Sequence, residues 1–415
     1  MRRDRSIRIL AEGVTASNDT WLTGLNNNTL VIGPSGAGKT RGYVTPNILA
    51  SEGSIVVADT KGELHERLRE QLEQKGFLVS CIDFTDPAAS TIGYDPLDHI
   101  RIVDGNAREQ DVISIAASLC PIDNNYEPFW DFIVRGLIAS LIGYTMAALP
   151  EEERNLSSVC RLYDTVVDGR YEKLILEMQD EDPMAFAVRQ HSASMAAKEA
   201  EKMAASIKSV TGQKLLPYMV SEVDQLFKMG NRIDFRDLRR EKTALFVHVS
   251  DVDRSMDRLI ALFYEQMLKT LVERSDQDGY PVHVILDDFA CGCPIQGFDS
   301  ISSVIRSRGI YVSLIIQSIA QLESLYGNNA ATICDNCDTT LYLGGNDPAT
   351  ARWIGERANR SPHAILTMPV DDALLIQRGK PAKKVRRYML EDHQDYVAQD
   401  GQPDIDEMEN EGICV

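Results

Sequence analysis

The sequence has little positive charge to balance its acids. Its 415 residues carry 43 Lys and Arg against 62 Asp and Glu, a formal net charge of −19. Such a balance argues against a protein that coats nucleic acid through a generally basic surface. The segment 391–415 contributes strongly, because it holds nine acids and no Lys or Arg. Two basic clusters contrast with it: Lys380, Lys383, Lys384, Arg386 and Arg387, and at the start Arg2, Arg3, Arg5 and Arg8. Pore lining, lipid-headgroup contact and ordinary solvated faces all suit these clusters.

A long uncharged apolar run is also absent. The longest apolar stretch, 129–149, is interrupted by Asp131 and Arg135. Its uncharged remainder is shorter than the roughly 17 residues that a membrane-spanning helix requires. We therefore predict a buried core helix there and no transmembrane segment.

The cysteines give no metal-binding pattern. No secretory signal peptide precedes the eight cysteines, so reduced thiols and a cytoplasmic location are expected. Two close pairs occur, Cys291 with Cys293 and Cys334 with Cys337. Neither has a histidine at metal-ligand spacing, which favours buried or loop cysteines over a zinc site.

A glycine-rich loop is the most informative feature that is present. It follows the apolar run 30–32 and reads Gly33, Pro34, Ser35, Gly36, Ala37, Gly38, Lys39 and Thr40. In this G-x-x-x-x-G-K-[ST] pattern, the glycines let backbone N–H groups surround phosphate oxygens at the start of a helix. Lys39 is expected to reach the β- and γ-phosphates, and Thr40 to hold Mg²⁺. The loop, with Arg41 after it, predicts a site for ATP and Mg²⁺.

A second apolar run, 284–286, ends in Asp287 and Asp288. In P-loop ATPases we expect such a strand beside the phosphate-loop strand. We assign Asp287 to Mg²⁺, through water, and Asp288 to the attacking water. A solvated strand end is the default for such a pair alone, and the upstream loop is what favours the catalytic interpretation. A large insertion must separate the two halves of the site.

Strand and helix patterns alternate on both sides of a long helical stretch. Strands are predicted at 29–32, 54–58, 77–82, 243–250, 282–287, 310–316 and 339–343, and a closing hairpin at 373–377 and 385–390. Between them, 184–212 is rich in Ala and Met, which favours a long helix. The prediction is an α/β fold with a mainly parallel sheet and an inserted all-helical domain. Its predicted parts are 1–107 (nucleotide-binding, first part), 108–242 (insertion), 243–390 (second part) and 391–415 (disordered acidic tail).

Further stretches occur in an order typical of one family. They are 23–28 before the loop, Arg41 to Asn47 after it, Val56 to Leu64 with its Asp-x-Lys-Gly-Glu sequence, 94–97, 128–130, 306–310, 316–318, 321–322 and 326–327. Over about residues 18–396 the chain resembles the TraG/TraD-type coupling proteins of type IV secretion and conjugation. These are RecA-like ring ATPases related to the FtsK and HerA motors.

The resemblance implies a hexameric motor at the cytoplasmic face of the membrane. It would use ATP to move relaxase-bound single-stranded DNA, or protein effectors, towards the channel subunits of a secretion system, with the helical insertion receiving the substrate. Gln317 looks like the sensor of the γ-phosphate. Arg306 and Arg308 are both candidates for an arginine that reaches the neighbouring subunit's site. A surface arginine pair is the alternative, and the sequence does not choose between them.

Two departures from the family keep other functions open. Asp288 stands where the family has Glu, which withdraws the carboxylate by about 1.5 Å, and catalytic geometry is sensitive at that scale. Family members usually carry N-terminal transmembrane helices, so both an excised fragment and an anchorless version that docks on a membrane partner are expected alternatives. We therefore keep two alternatives to the motor. One is a nucleotide-gated docking adaptor with weak hydrolysis, and the other is a DNA pump of the FtsK/HerA type that acts outside secretion.

Overall fold

Two units make up the chain. The computed structural model describes residues 4, 6–122, 129–195, 201–273 and 279–396, without the side chains of 201 and 202. Contacts group Met1–Cys81, Phe235–Val252 and Met267–Val415 as the first unit, and Ile82–Asp234 with Asp253–Gln266 as the second. This division starts the second unit earlier than the predicted insertion, and the predicted domain boundaries stay predictions.

The strands follow the alternation that the sequence shows. In chain order they are β1 (Ile7–Ala11), β2 (Val14–Ser17), β3 (Thr29–Ile32), β4 (Ser54–Asp59), β5 (Leu78–Asp83), β6 (Ile102–Val103), β7 (Asn106–Ala107), β8 (Thr243–His248), β9 (Val282–Leu286), β10 (Ile310–Ile316), β11 (Thr339–Tyr342), β12 (Asp372–Gln377) and β13 (Lys383–Arg386). The predicted strands 29–32 and 310–316 have the same bounds in the structure.

A nine-stranded sheet is the frame of the first unit. Its order is β13-β12-β11-β3-β10-β9-β4-β8-β5. The neighbours from β11 to β8 run parallel, whereas β11, β12 and β13 pair antiparallel. Strands β3, β4, β9 and β10 are buried along their whole length, which explains their near-continuous apolar sequences. The predicted mainly parallel α/β sheet and its closing hairpin are confirmed.

One expectation about the sheet is wrong. The strand that ends at the acid pair, β9, does not lie beside the phosphate-loop strand β3, because β10 lies between them and pairs with both. Local patterns identify a strand, but its position in a parallel sheet is set by crossover connections that carry no local pattern. The consequence is favourable for a site, because Gln317 at the end of β10 stands between the loop and the acids.

Helices cover the sheet and build the second unit. In chain order they are α1 (Thr20–Thr23), α2 (Thr45–Leu49), α3 (Glu63–Gln74), α4 (Glu109–Leu119), α5 (Phe129–Ala148), α6 (Leu156–Val167), α7 (Tyr171–Glu181), α8 (Phe186–Met195), α9 (Glu201–Leu215), α10 (Ser221–Lys228), α11 (Asp237–Arg240), α12 (Asp257–Glu273), α13 (Phe298–Val304), α14 (Ile319–Tyr326), α15 (Asn329–Asp335), α16 (Pro348–Ala358) and α17 (Pro362–Leu366). A π-helical turn, Thr40–Val44, precedes α2, and a 3₁₀ turn, Ile305–Arg308, follows α13.

Helix α5 is the centre of the second unit. It packs against α4, α6, α8 and α9. Within the described part of the chain it is the one helix long and apolar enough to cross a membrane, and 61% of its apolar window is buried in the protein. The unit is mostly helical, and the antiparallel hairpin β6–β7 that it contains lies just before the predicted insertion 108–242.

Both predicted terminal features need correction. Arg8 is 2% exposed and its guanidinium donates to the Asn27 carbonyl, so it is not part of a basic surface. Arg2, Arg3 and Arg5 lie outside the described residues. The predicted disordered tail begins too early at 391, because Leu390 is fully buried, Tyr396 packs against the core and Asp395 pairs with Lys75 at 2.7 Å. Residues 397–415 lie outside the described residues.

A buried carboxylate links two segments of the second unit. Asp95 accepts hydrogen bonds from the backbone N–H groups of Leu97 and Leu156, each at 2.8 Å. These bonds favour the charged form, but burial outweighs them and raises the pKa of Asp95 to about 8. The folded chain therefore binds a proton at Asp95 that the unfolded chain, with an ordinary pKa of about 4, releases.

We predict that Asp95 makes stability fall as the pH rises. Between about pH 4 and pH 8 the folded state holds the extra proton, so the free energy of unfolding decreases with pH by up to about 1.4 kcal/mol per unit. Asp95→Asn should remove the contribution of this carboxyl group to the pH dependence of the free energy of unfolding. Urea unfolding at pH 5.5 and pH 7.5 measures it, with Asp104→Asn, an exposed position at φ 50°, as the control. An identical pH slope for the wild type and Asp95→Asn would contradict the assignment.

Candidate nucleotide site

The loop after β3 has the backbone that a phosphate cradle needs. Gly36 and Gly38 adopt φ values of 71° and 70°, which side chains other than glycine rarely accept. The loop closes on itself, because Ala37 N–H donates to the Pro34 carbonyl at 3.2 Å. Lys39 Nζ also donates to that carbonyl, at 2.9 Å. The ammonium is thus held over the loop, and its contact with phosphate stays a prediction.

The helix that follows the loop starts with an unusual turn. The Thr40 carbonyl accepts a hydrogen bond from the Thr45 N–H in a π-helical turn. The second residue of α2 is Pro46, which has no N–H to donate. π-helical turns are rare and are frequent at functional sites. Here the turn carries Thr40 at its first position.

Thr40 and Asp287 meet at the carboxyl edge of the sheet. The Thr40 hydroxyl donates to Asp287 Oδ2 at 3.1 Å. Removal from water and the neighbouring Asp288 carboxylate raise the pKa of Asp287 to about 6, against the lowering effects of Lys39 and Thr40. A hydroxyl and a carboxylate of this kind are oxygen ligands that Mg²⁺ prefers.

Asp288, the second residue after β9, has a left-handed backbone conformation. Its φ is 50°, which costs most residues energy but, among residues other than glycine, is tolerated best by Asn and Asp. Gln317 Nε2 donates to Asp288 Oδ1 at 3.4 Å, a long hydrogen bond. Gln317 follows β10, the strand between the loop and the acids, so the predicted sensor and the predicted catalytic acid do lie together.

One pocket collects the loop, the acids and the glutamine. Its lining residues are Ser35, Gly36, Ala37, Lys39, Thr40, Asp59, Thr60, Lys61, Glu63, Leu64, Arg67, Asp287, Asp288 and Gln317. One wall of the pocket is formed by lining residues between Asp59 and Arg67, for which we predicted no role in the site. Its Asp-x-Lys-Gly-Glu sequence was the available signal, since the acid that ends a parallel strand points to the same edge as Asp287. Lys61 and Arg67 add positive charge to the pocket beside Lys39.

The wall is fixed by the start of α3. Asp59, 2% exposed, accepts from the N–H groups of Leu64 and His65 at 2.8 and 3.2 Å, as a helix cap does. Burial raises its pKa, partly offset by these bonds. Glu63 and Arg67, one turn apart, form an ion pair at 3.4 Å.

Arg41 is not among the residues that line the pocket. Its guanidinium, 9% exposed, forms an ion pair with Glu391. Its predicted nucleotide contact therefore has no support from the side chain. Gly33, Pro34 and Gly38 shape the loop, and their contact with nucleotide stays a prediction.

Arg306 and Arg308 lie at the opposite edge of the sheet from the pocket. Both belong to the 3₁₀ turn before β10, whereas the pocket lies past its end. A strand of 7 residues separates the two edges by about 20 Å. Arg306 is exposed, while Arg308 is half-buried and its carbonyl accepts from Arg239. Neither arginine can serve the pocket of its own chain.

The cysteines that the structure describes do not build a metal centre. Cys334 and Cys337 are buried, and Cys291 and Cys293 are partly exposed. Among the residues that the structure describes, no group of three or more His, Cys, Asp or Glu is placed to hold a metal ion. Among the described residues, the hydroxyl of Thr40 and the carboxylate of Asp287 stay the predicted ligands of Mg²⁺.

Comparison with known proteins agrees with this architecture. The chain is 24% identical over 401 residues to the protein VirD4 of Rhizobium rhizogenes, covering 91% of this chain and 57% of that protein. It is 22% identical over 404 residues to the conjugal transfer protein TraG of Rhizobium radiobacter, covering 86% and 61%. The chain thus spans less than two thirds of these relatives. The structure of the bacterial conjugative coupling protein TrwBdeltaN70 superposes with a TM-score of 0.68 at 15% identity, covering 93% of this chain and 90% of that one.

That superposition, over most of both chains, shows a shared fold. The RecA-like α/β class predicted for the nucleotide-binding part is confirmed with it. The family model described as type IV secretory system conjugative DNA transfer matches residues 3–360, most of the chain. The chain therefore belongs to the type IV secretory system conjugative DNA transfer family.

Proposed function

We propose that the pocket binds Mg²⁺ and ATP and hydrolyses ATP to drive transfer of a substrate. The observation that carries the proposal is the convergence of Lys39, Thr40, Asp287, Asp288 and Gln317 in one pocket. Lys39 would neutralise the β- and γ-phosphates. Thr40 and Asp287 would hold Mg²⁺, which when bound neutralises charge between the phosphates. Structures of the coupling protein TrwB with ADP and Mg²⁺ and with an ATP analogue support this ligand choice.

Asp288 would orient and deprotonate the attacking water, with Gln317 holding its carboxylate. The left-handed turn gives a physical reason for the shorter acid, because Asp tolerates a positive φ more readily than Glu does. Gln317 directly follows β10, the strand that pairs with both β3 and β9, so it would report the γ-phosphate to the acid.

Arg306 of a neighbouring copy would complete the site. Its exposure and its distance from its own pocket suit an arginine that acts across a subunit boundary, while Arg308 is partly enclosed. We therefore assign Arg306 as the arginine finger and Arg308 as a structural residue. A ring, hexameric by the resemblance, follows from this assignment.

The substrate we propose is relaxase-bound single-stranded DNA or a protein effector, delivered to the channel subunits of a type IV secretion system at the cytoplasmic face of the membrane. Membership of the conjugative DNA transfer family supports this choice. The second unit, Ile82–Asp234 with Asp253–Gln266, is the proposed substrate receiver. Membrane contact would come through channel partners or through an anchor beyond this chain.

A second candidate is a nucleotide-gated docking adaptor with slow hydrolysis. The shortened acid Asp288 and the net charge of −19 favour it. Such an adaptor would bind ATP tightly and turn it over slowly, and Asp288→Glu would raise the turnover. A motor would already turn over ATP as the wild type.

We predict ATP turnover that single-stranded DNA stimulates. Lys39→Ala should lower steady-state turnover at least about 100-fold, because the phosphates lose their neutralising charge. Lys269→Ala, an exposed lysine of the first unit that does not line the pocket, is the matched control and should behave as the wild type. Phosphate release with single-stranded DNA, duplex DNA and no DNA measures the effect. Wild-type protein that binds ATP yet matches Lys39→Ala in turnover would sink the motor, and stimulation by duplex DNA alone would favour a DNA pump.

We also predict that Arg306 acts in trans. Arg306→Ala and Asp287→Asn should each abolish turnover, by about 10³-fold for the arginine. Mixed oligomers of the two variants contain some boundaries with an intact arginine and an intact acid, so mixing should restore part of the activity. Arg308→Ala serves as the comparison and should retain turnover. The assignment would be reversed if Arg306→Ala alone retained turnover while Arg308→Ala alone lost it and regained part of it on mixing with Asp287→Asn.

A further inference from the structure

The guanidinium of Arg387, which does not line the pocket, donates hydrogen bonds to the backbone of the phosphate-binding loop and of a neighbouring segment. Arg387 Nη1 donates to the Ala37 carbonyl at 2.9 Å, and Nη2 donates to the Leu343 carbonyl at 2.5 Å. Ala37 stands between Gly36 and Gly38, the two loop glycines with positive φ. Arg387 therefore contacts the part of the loop with the greatest conformational freedom.

The second carbonyl that Arg387 contacts, that of Leu343, belongs to a residue held by the sheet. Leu343 N–H donates to the Ile32 carbonyl at 2.8 Å, so it continues the ladder beside β3. A Cβ atom on Gly33 would lie 3.1 Å from the Leu343 side chain, which shows how closely the two segments pack. The planar fork of Arg387 thus ties the loop to the end of β11, a geometry that a lysine cannot supply.

Arg387 belongs to a folded segment, which we call the C-terminal strap, residues 386–396. Its N–H donates to the Asp371 carbonyl at 3.1 Å. Further along the strap, Glu391 pairs with Arg41 directly after the loop, and Leu390 is fully buried in the core. The sequence placed Arg387 in an exposed basic cluster, and the structure shows that this was wrong, since Arg387 is half-buried and Arg386 beside it is exposed.

The orientation of one carbonyl sets the orientation of the next N–H. The Ala37 carbonyl and the Gly38 N–H belong to the same planar trans peptide and point in opposite directions. A carbonyl held towards Arg387 therefore turns the Gly38 N–H away from Arg387. Phosphate binding by such loops depends on backbone N–H groups that already point at the ligand.

We propose that Arg387 is a positioning residue that fixes the phosphate-binding loop in its ligand-ready conformation by gripping the Ala37 carbonyl. The proposal rests on the proposed nucleotide function of the pocket. Arg387 acts through the backbone of Ala37 and is not itself among the pocket-lining residues. It sets the affinity for the triphosphate and leaves the chemical step to the acids.

The test is the affinity of the full chain for Mg²⁺ and a fluorescent ATP analogue. Arg387→Ala should weaken binding about 10- to 100-fold, as the loss of hydrogen bonds from a charged donor implies. The KM for ATP should rise by a similar factor while kcat changes less than about threefold. Arg387→Lys keeps the charge without the fork and should give an intermediate affinity. Arg386→Ala removes the same charge from the adjacent exposed position and should bind as the wild type.

Each outcome decides the proposal. Unchanged affinity in a folded Arg387→Ala variant, equal weakening by Arg386→Ala, or a fall in kcat with KM unchanged would overturn it. If thermal unfolding shows that Arg387→Ala does not fold, Arg387→Lys carries the same comparison, and wild-type affinity there overturns the role of the fork. A wild type without affinity for Mg²⁺ and ATP would instead defeat the proposed function.

Discussion

The hydrogen bond between the Thr40 hydroxyl and the Asp287 carboxylate is the contact on which the candidate site depends. It spans 247 positions of sequence at 3.1 Å. It exists because β3, β10 and β9 are parallel and in register, so their carboxyl ends meet at one edge of the sheet. Burial raises the pKa of Asp287 to about 6 despite Thr40 and Lys39, and a divalent cation there would favour its charged form.

Much of this frame was predictable because its signals are local. Apolar runs fix β3 and β10, and the glycine pattern fixes the loop that carries Lys39 and Thr40. Strand order was not predictable, since the position of β10 between β3 and β9 depends on crossovers that leave no local pattern. The pocket wall from Asp59 to Arg67 was missed for a related reason, because it joins the site only through the pairing of β4 with β9.

Charge patterns were the least reliable guide. Arg8 and Arg387 look like members of exposed basic clusters, yet one is buried and the other holds backbone carbonyls behind the loop. A long side chain can place its charge far from the surface when backbone carbonyls offer partners, and sequence composition does not record those partners. The loop is consequently held by two contacts. At the pocket, Thr40 donates to Asp287, and outside the pocket lining, Arg387 of the strap donates to the Ala37 carbonyl.

The measurement that tests the central claim most directly is ATP turnover by Asp288→Asn alongside its affinity for Mg²⁺ and ATP. The substitution keeps the size of the side chain and its tolerance of the left-handed turn, and removes only the base. Our account predicts wild-type affinity with turnover reduced by at least about 100-fold. Turnover equal to that of the wild type would show that Asp288 is not the group that activates water, and that hydrolysis in this pocket proceeds by a different arrangement.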